Sequence, residues 1–321
     1  MSNQDLSSNY QEKREFQWAG RIDPEANSLR WHQVIKPVIS AAENGYALIG
    51  FCCDLGVSQN KGRIGAALAP NAIRQALANL SYIQKKPLYD AGNVHCLANQ
   101  LDQAQAELGN QVQTHLESGH FPIILGGGHE VAYGSWLGFS QYLQAQHSKI
   151  APKVGIINFD AHFDLRDSSH VHSSGTPFHQ IAYQSKALNW PFHYACLGVS
   201  QASNTQALFN TADSLGVLAI QDHLMTTHNL FQIMTQITEF IDQCDHIYLT
   251  VDMDVFPSSQ APGVSAPAAC GVGIEIIEPL LRHIKATQKL RLFDIAELNP
   301  NFDRDHQTAR LAARLIHTLT L

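Results

Sequence analysis

Val154–Arg166 reads VGIINFDAHFDLR. Its first part, Val154 to Phe159, is a short apolar run of the kind that a strand buried on both faces requires. Its second part sets Asp160, His162 and Asp164 at alternate positions. Residues two apart on an extended backbone point to the same side, so these three side chains can converge on one point. Two carboxylates and an imidazole together suit a divalent metal such as manganese better than they suit packing.

Outward from this stretch, apolar runs alternate with amphipathic segments. Strands are expected over Tyr46–Cys53, Leu88–Asp90, Phe121–Leu125, Val154–Phe159, His193–Val199, Val217–Ile220, His246–Val251 and Leu290–Ile295. Helical spacing covers Pro70–Leu80, with proline near its start, and Ala98–Ser118, which stops at Gly119. Further helices are expected over Leu230–Ile241, Ile274–His283 and Asp305–Thr318. Such alternation predicts one three-layer α/β/α domain with a mainly parallel sheet of about eight strands and helices on both faces. Residues 31–321 form that domain in this reading, and the polar residues 1–30 form an N-terminal arm. In parallel sheets functional groups collect at the carboxyl edge, where Asp160 falls.

Composition narrows the function classes. The 321 residues carry a net charge of −7 with no Lys/Arg-rich run, which argues against a nucleic-acid partner. No segment reaches the roughly eighteen apolar residues of a membrane span, and the N-terminus lacks the apolar core of a secretory signal. The six cysteines have no CxxC spacing, and Cys52, Cys53 and Cys196 lie in apolar strand-like runs as small buried free thiols, so a cytoplasmic location is expected.

Two further motifs follow apolar runs. Leu125–Glu130, LGGGHE, allows a tight turn and close backbone approach, after which His129 can point into a cleft. No lysine follows, so it is not a phosphate loop. Asp252 and Asp254, in TVDMDVF, place two like charges side by side, which is costly without a cation between them. With the first stretch these give six ligands: His129, Asp160, His162, Asp164, Asp252 and Asp254. Four carboxylates exceed the needs of one ion and fit two ions sharing aspartates. Two adjacent dications lower the pKa of a water between them, making hydroxide available at neutral pH.

GGGHE, DAHFD and DMDVFPSSQAPGVSAP, in this order and spacing over about Tyr46 to Pro300, resemble the arginase/agmatinase (ureohydrolase) family of binuclear manganese hydrolases. The resemblance implies an arginase-like fold, two Mn2+ per subunit held by the six residues named, and a homo-oligomer. Asp160 and Asp252 would bridge the ions, and Asp164 would hold the attacking hydroxide by a hydrogen bond. Glu297, in DIAELNP, matches the acid that pairs with the substrate's guanidinium or amidinium group. Finer wording departs from arginase and agmatinase: GGGHE replaces a GGDHS type, and DMDVFPSS lacks a further Asp-Pro. With NFDAHFDLR, SSGTPFHQ and CLGVSQASNT, this resembles the histidine-degradation branch, which hydrolyses N-formimidoyl-L-glutamate to L-glutamate and formamide. Arginase, agmatinase and other guanidino-acid hydrolases are the alternatives within the family; a non-catalytic member is a more remote one.

The candidate substrates differ in their tails, and a dianionic tail needs fixed cations, for which arginine's planar fork is best shaped. Arg166, two residues past Asp164, is expected at the cleft mouth, and Arg63 in NKGRIG is a second candidate. Ser174 and Thr176 are candidate substrate contacts. For the proton shuttle, His179 lies about one residue from where arginase carries such a histidine, so shuttle and ordinary surface histidine both stay open.

Overall fold

Nine strands run through the described residues of the computed structural model, which are 16–38, 43–146 and 150–321. They are β1 (Lys36–Pro37), β2 (Tyr46–Cys52), β3 (Leu88–His95), β4 (Phe121–Leu125), β5 (Val154–Phe159), β6 (His193–Val199), β7 (Leu218–Gln221), β8 (His246–Asp252) and β9 (Leu290–Ala296). One sheet results, in the order β1-β3-β2-β4-β9-β8-β5-β6-β7, and every pair is parallel. Parallel neighbours need crossovers, and helices on both faces supply them.

Side-chain alternation along the strands builds two cores, one on each face. Leu48, Ile157, Phe159, Leu249 and Val251 pack on one side with helices Ala69–Ala78, Leu230–Asp242, Ile274–Ala286 and Gln307–Thr320. Ile49, Phe51, Val154, Ile156 and Tyr248 pack on the other with Leu101–Glu117, Val131–Ala145, Pro177–Ala187 and Gln206–Ser214. The three layers are those expected from the alternation of runs.

Helices Val131–Ala145, Pro177–Ala187 and Gln206–Ser214 add to those expected, and two strands differ as well. β1 is a ninth strand, a two-residue edge piece containing proline, too short to leave a periodic signal. β3 runs on to His95 where a strand ending at Asp90 was expected. DAGN forms an irregularity within the strand, with register slipping opposite Leu48–Gly50 and Gly92 at φ 78°. The fully buried Arg74 holds it, donating to both oxygens of Asp90, to Asn93 Oδ1 and to the Gly92 carbonyl.

Within the segment 1–30, residues 1–15 lie outside the described residues. Residues 16–30 contain no helix or strand beyond an isolated Arg30–Ser81 bridge, and Trp18 Nε1 donates to Asp90 Oδ2 at 2.8 Å. All six cysteines are free. Among the described residues no helix is long and apolar enough to cross a membrane.

Sheet order explains the site. β4, β9, β8 and β5 are consecutive neighbours, and GGGH, Glu297, the Asp252/Asp254 pair and DAHFD each follow the carboxyl end of one of them.

Candidate metal centre

The glycine turn after β4 is shaped by proximity. A Cβ on Gly127 would stand 1.7 Å from the Cys53 carbonyl oxygen, and one on Gly126 would stand 2.4 Å from that of Ile295. Backbone bonds lock the turn to its neighbours: Gly126 N to Ile295 O, Gly128 N to Cys53 O, and Glu297 N to Gly127 O. The turn thereby aims His129 along the carboxyl edge. His129 Nε2 lies 3.1 Å from Thr250 Oγ1. The tautomer with hydrogen on Nε2 donates to that hydroxyl and leaves Nδ1 a lone pair for a cation.

Convergence of the aspartates arises differently from the alternation argument. β5 ends at Phe159, and residues 160–164 are a turn in which Asp164 takes φ 48°. Likewise Asp252 is the last residue of β8, and Asp254 sits in the 3₁₀ turn Met253–Val255. Alternation along an extended strand singles out these residues, but tight turns bring them together. Glu297 is also left-handed, at φ 66°. Non-glycine residues adopt that region at a cost, and two such residues facing one cavity mark it as a built site.

The six expected ligands form two overlapping groups. His129, Asp160, Asp164 and Asp252 compose one; Asp160, His162 and Asp254 compose the other. His129 Nδ1 lies 3.1 Å from Asp160 Oδ2, 2.9 Å from Asp164 Oδ2 and 3.1 Å from Asp252 Oδ2. His162 Nδ1 lies 3.1 Å from Asp254 Oδ2 and 3.5 Å from Asp160 Oδ1. Asp160 thus spans both groups, one oxygen to each. Its orientation is fixed by the His162 amide on Oδ1 and by Asn158 Nδ2 on Oδ2. Asp252 stands in the His129 group alone, with Oδ1 accepting from the Asp254 amide at 2.7 Å.

These groups strain one another electrostatically. Burial and the neighbouring Asp160 push the Asp164 carboxyl up to about 6. Burial, with Asp254 and Asp160 beside it, raises Asp252 well above the carboxylate range. Burial would lower His129, yet the surrounding carboxylates hold it well above its ordinary value. Four buried carboxylates in one pocket are unfavourable without cations, and two dications balance four negative charges. His129 Nδ1 and Asp254 Oδ1 are buried without a hydrogen-bond partner among the described residues, which is the condition of atoms kept for a metal. The donor set therefore fits divalent cations.

A cavity of about 330 Å³ opens over the cluster. Glu297 lines it, with Oε1 accepting from the His129 amide at 2.9 Å. Arg166 lines its mouth, exposed and without a guanidinium ion pair among the described residues. Arg63 also lines it, but its guanidinium donates to the Ser265 and Val264 carbonyls and lies 3.9 Å over the Phe302 ring. Lys61, which the sequence reading passed over in favour of arginines, is the further exposed cation at the mouth. Its lead in NKGRIG was the same as that of Arg63, since both stand on one loop.

Ser174 lines the cavity and accepts from Asn60 Nδ2 at 3.3 Å. Thr176 does not line it; its hydroxyl bonds Ser173 and Gln180 at the start of the helix Pro177–Ala187. His179 does not line it either. Its Nδ1 lies 2.8 Å from Ser168 Oγ, so it pins the loop that carries Arg166.

The comparisons with known proteins agree with this architecture. The Arginase family profile matches residues 44–321. A formimidoylglutamase of Aeromonas salmonicida (strain A449) is 54% identical over 307 residues, spanning 94% of this chain and 96% of that protein. One of Aliivibrio fischeri (strain ATCC 700601 / ES114) is 49% identical, spanning 94% and 93%. Among solved structures, the formimidoylglutamase from Bacillus subtilis subsp. subtilis str. 168 superposes with TM-score 0.83 at 23% identity, over 94% of both chains. A Trypanosoma cruzi formiminoglutamase with Mn2+2 superposes with TM-score 0.77 at 24% identity, over 88% of this chain and 95% of that one. At such identities these two likenesses are of fold. The Asp/His cluster fits a divalent metal, and the chain belongs to the arginase family.

Proposed function

We propose that this chain hydrolyses N-formimidoyl-L-glutamate to L-glutamate and formamide. The observation that carries this reading is an uncommitted cation pair, Arg166 and Lys61, at the mouth of a cavity floored by a carboxylate-rich metal cluster and Glu297. The substrate fits from both ends, with a planar amidinium for the carboxylate of Glu297 and a dianionic tail for the cations. Agmatine, which ends in an amine, would meet repulsion there. Relatives about half identical that carry the formimidoylglutamase name support the same choice.

His129, Asp160, Asp164 and Asp252 would hold one ion, and Asp160, His162 and Asp254 would hold the other. The metal is proposed to be manganese, two per chain, because carboxylate oxygens dominate the donor set. Bound there, the dications supply the Lewis acidity that makes water nucleophilic at neutral pH. Glu297 orients the amidinium carbon over the cluster. Asp164, which lines the cavity beside the cluster, would accept the proton of the nucleophilic water and pass it to the leaving nitrogen. This assigns the shuttle to Asp164, because His162 is the histidine that lines the cavity and it is spent as a ligand. Residues 31–321 would act as one catalytic unit, in a cytoplasmic homo-oligomer.

Steady-state kinetics of Arg166→Ala test the tail contact. We expect KM for formimidoylglutamate to rise about tenfold or more with kcat little changed, the mark of lost uniform binding. An unchanged KM would remove Arg166 from the site.

A further inference from the structure

A second, larger cavity lies at the opposite edge of the sheet. It measures about 650 Å³ and opens beneath the amino ends of β2, β4, β9 and β8, lined there by Tyr46, Phe121, Leu290 and His246. These are four consecutive strands, and the metal centre stands at the far ends of three of them.

Its charge is one-sided. Lys86, Lys285 and Arg291 line it, and no Asp or Glu does among the described residues. This is unusual for a chain whose net charge is −7. None of the three has a carboxylate partner among the described residues: Lys86 Nζ lies 5.8 Å over the Tyr46 ring, and Arg291 Nε is 3.5 Å from His246 Nδ1. A cleft lined by one sign of charge on low-dielectric walls focuses its field and concentrates counter-ions. Burial, with Arg282 and Lys86 nearby, lowers the Lys285 ammonium. Between the cations the walls are apolar and aromatic, with Tyr46, Tyr142 and leucines. Inorganic ions alone would leave that surface wet.

We infer that this cavity is a binding site for an organic anion carrying at least two negative charges and an apolar or aromatic body, up to the size of a nucleotide. Lys86 and Lys285 grip the charged groups, and Tyr46 and Tyr142 flank the body. Carboxylates and phosphates share this chemistry, so the probes must separate them.

Isothermal titration of the manganese-loaded full chain with AMP and, separately, with succinate tests the inference; both bind manganese weakly. At least one should bind with Kd below about 1 mM. AMP alone assigns phosphate, succinate alone assigns carboxylate, and both assign the shared chemistry. The Lys86→Ala/Lys285→Ala double variant should bind about tenfold or more weakly, while its hydrolytic kcat/KM and Tm stay unchanged. The exposed Arg291→Ala gives an independent arm, with a several-fold loss expected. Binding should weaken as salt rises. Failure of both probes to bind would overturn the inference. So would undiminished affinity in both variants, or loss of binding in Arg166→Ala, which would place the anion at the metal cavity.

Discussion

Asp160 is the residue on which the centre turns. It is fully buried, gives one oxygen to each ligand group, and is held by Asn158 Nδ2 and the His162 amide. Asn158 in turn donates to the Tyr194 hydroxyl at 2.9 Å, and Tyr194 stacks on Phe178, whose ring edges onto His129. The asparagine thus orients a ligand without being one. Removing such a support costs roughly 10–100-fold in metal affinity. Asn158→Ala should show a loss of that size when manganese binding is followed by electron paramagnetic resonance, even where secondary structure is intact. Unaltered affinity would mean that the His162 amide alone sets Asp160.

The elements show what a single sequence can and cannot disclose. The candidate ligands were legible because strands β4, β5, β8 and β9 are apolar runs with abrupt polar ends. Their convergence was not, since it depends on the left-handed turns at Asp164 and Glu297 and on a sheet order that seats β9 between β4 and β8. Side-chain commitments were hidden for the same reason. Arg63 reads as a free cation, yet it is tied to the Val264–Ser265 loop, while Lys61 on the same turn stays exposed. His179, which the sequence leaves open between shuttle and surface histidine, braces Ser168. The glycine turn is the exception, where close approach was expected and is found. Gly127→Ala would drive a Cβ into the Cys53 carbonyl, so the backbone must move. Overpacking of this kind costs about 1–3 kcal/mol. A lowered Tm accompanied by lost metal is expected in calorimetry with metal analysis, and a variant with native Tm and metal content would refute the packing role.

At the scale of the whole molecule, the metal centre couples folding to pH. Burial and Asp160 push the Asp164 carboxyl up from an ordinary 3.8 to about 6, so the folded state holds a proton that the unfolded state releases. Stability from this group is full below about 4 and is lost as pH rises through about 6. Asp252, raised by burial and by Asp254 and Asp160, has the same sign. Metal ions replace those protons, so the Tm gap between manganese-loaded and chelator-treated protein should widen from about pH 4 to pH 7. A constant gap would mean that the carboxylates are not what the metal neutralises.

The two ends of one parallel sheet carry opposite charge characters, a carboxylate cluster at the carboxyl edge and a cation-lined cavity at the amino edge. The proposed activity belongs to the first. The most direct test is product analysis of the manganese-loaded chain with N-formimidoyl-L-glutamate, arginine, agmatine and guanidinobutyrate in parallel. The account predicts stoichiometric formamide and L-glutamate from the first substrate and little urea from the others. Urea released faster than formamide, or no formamide at all, would contradict it.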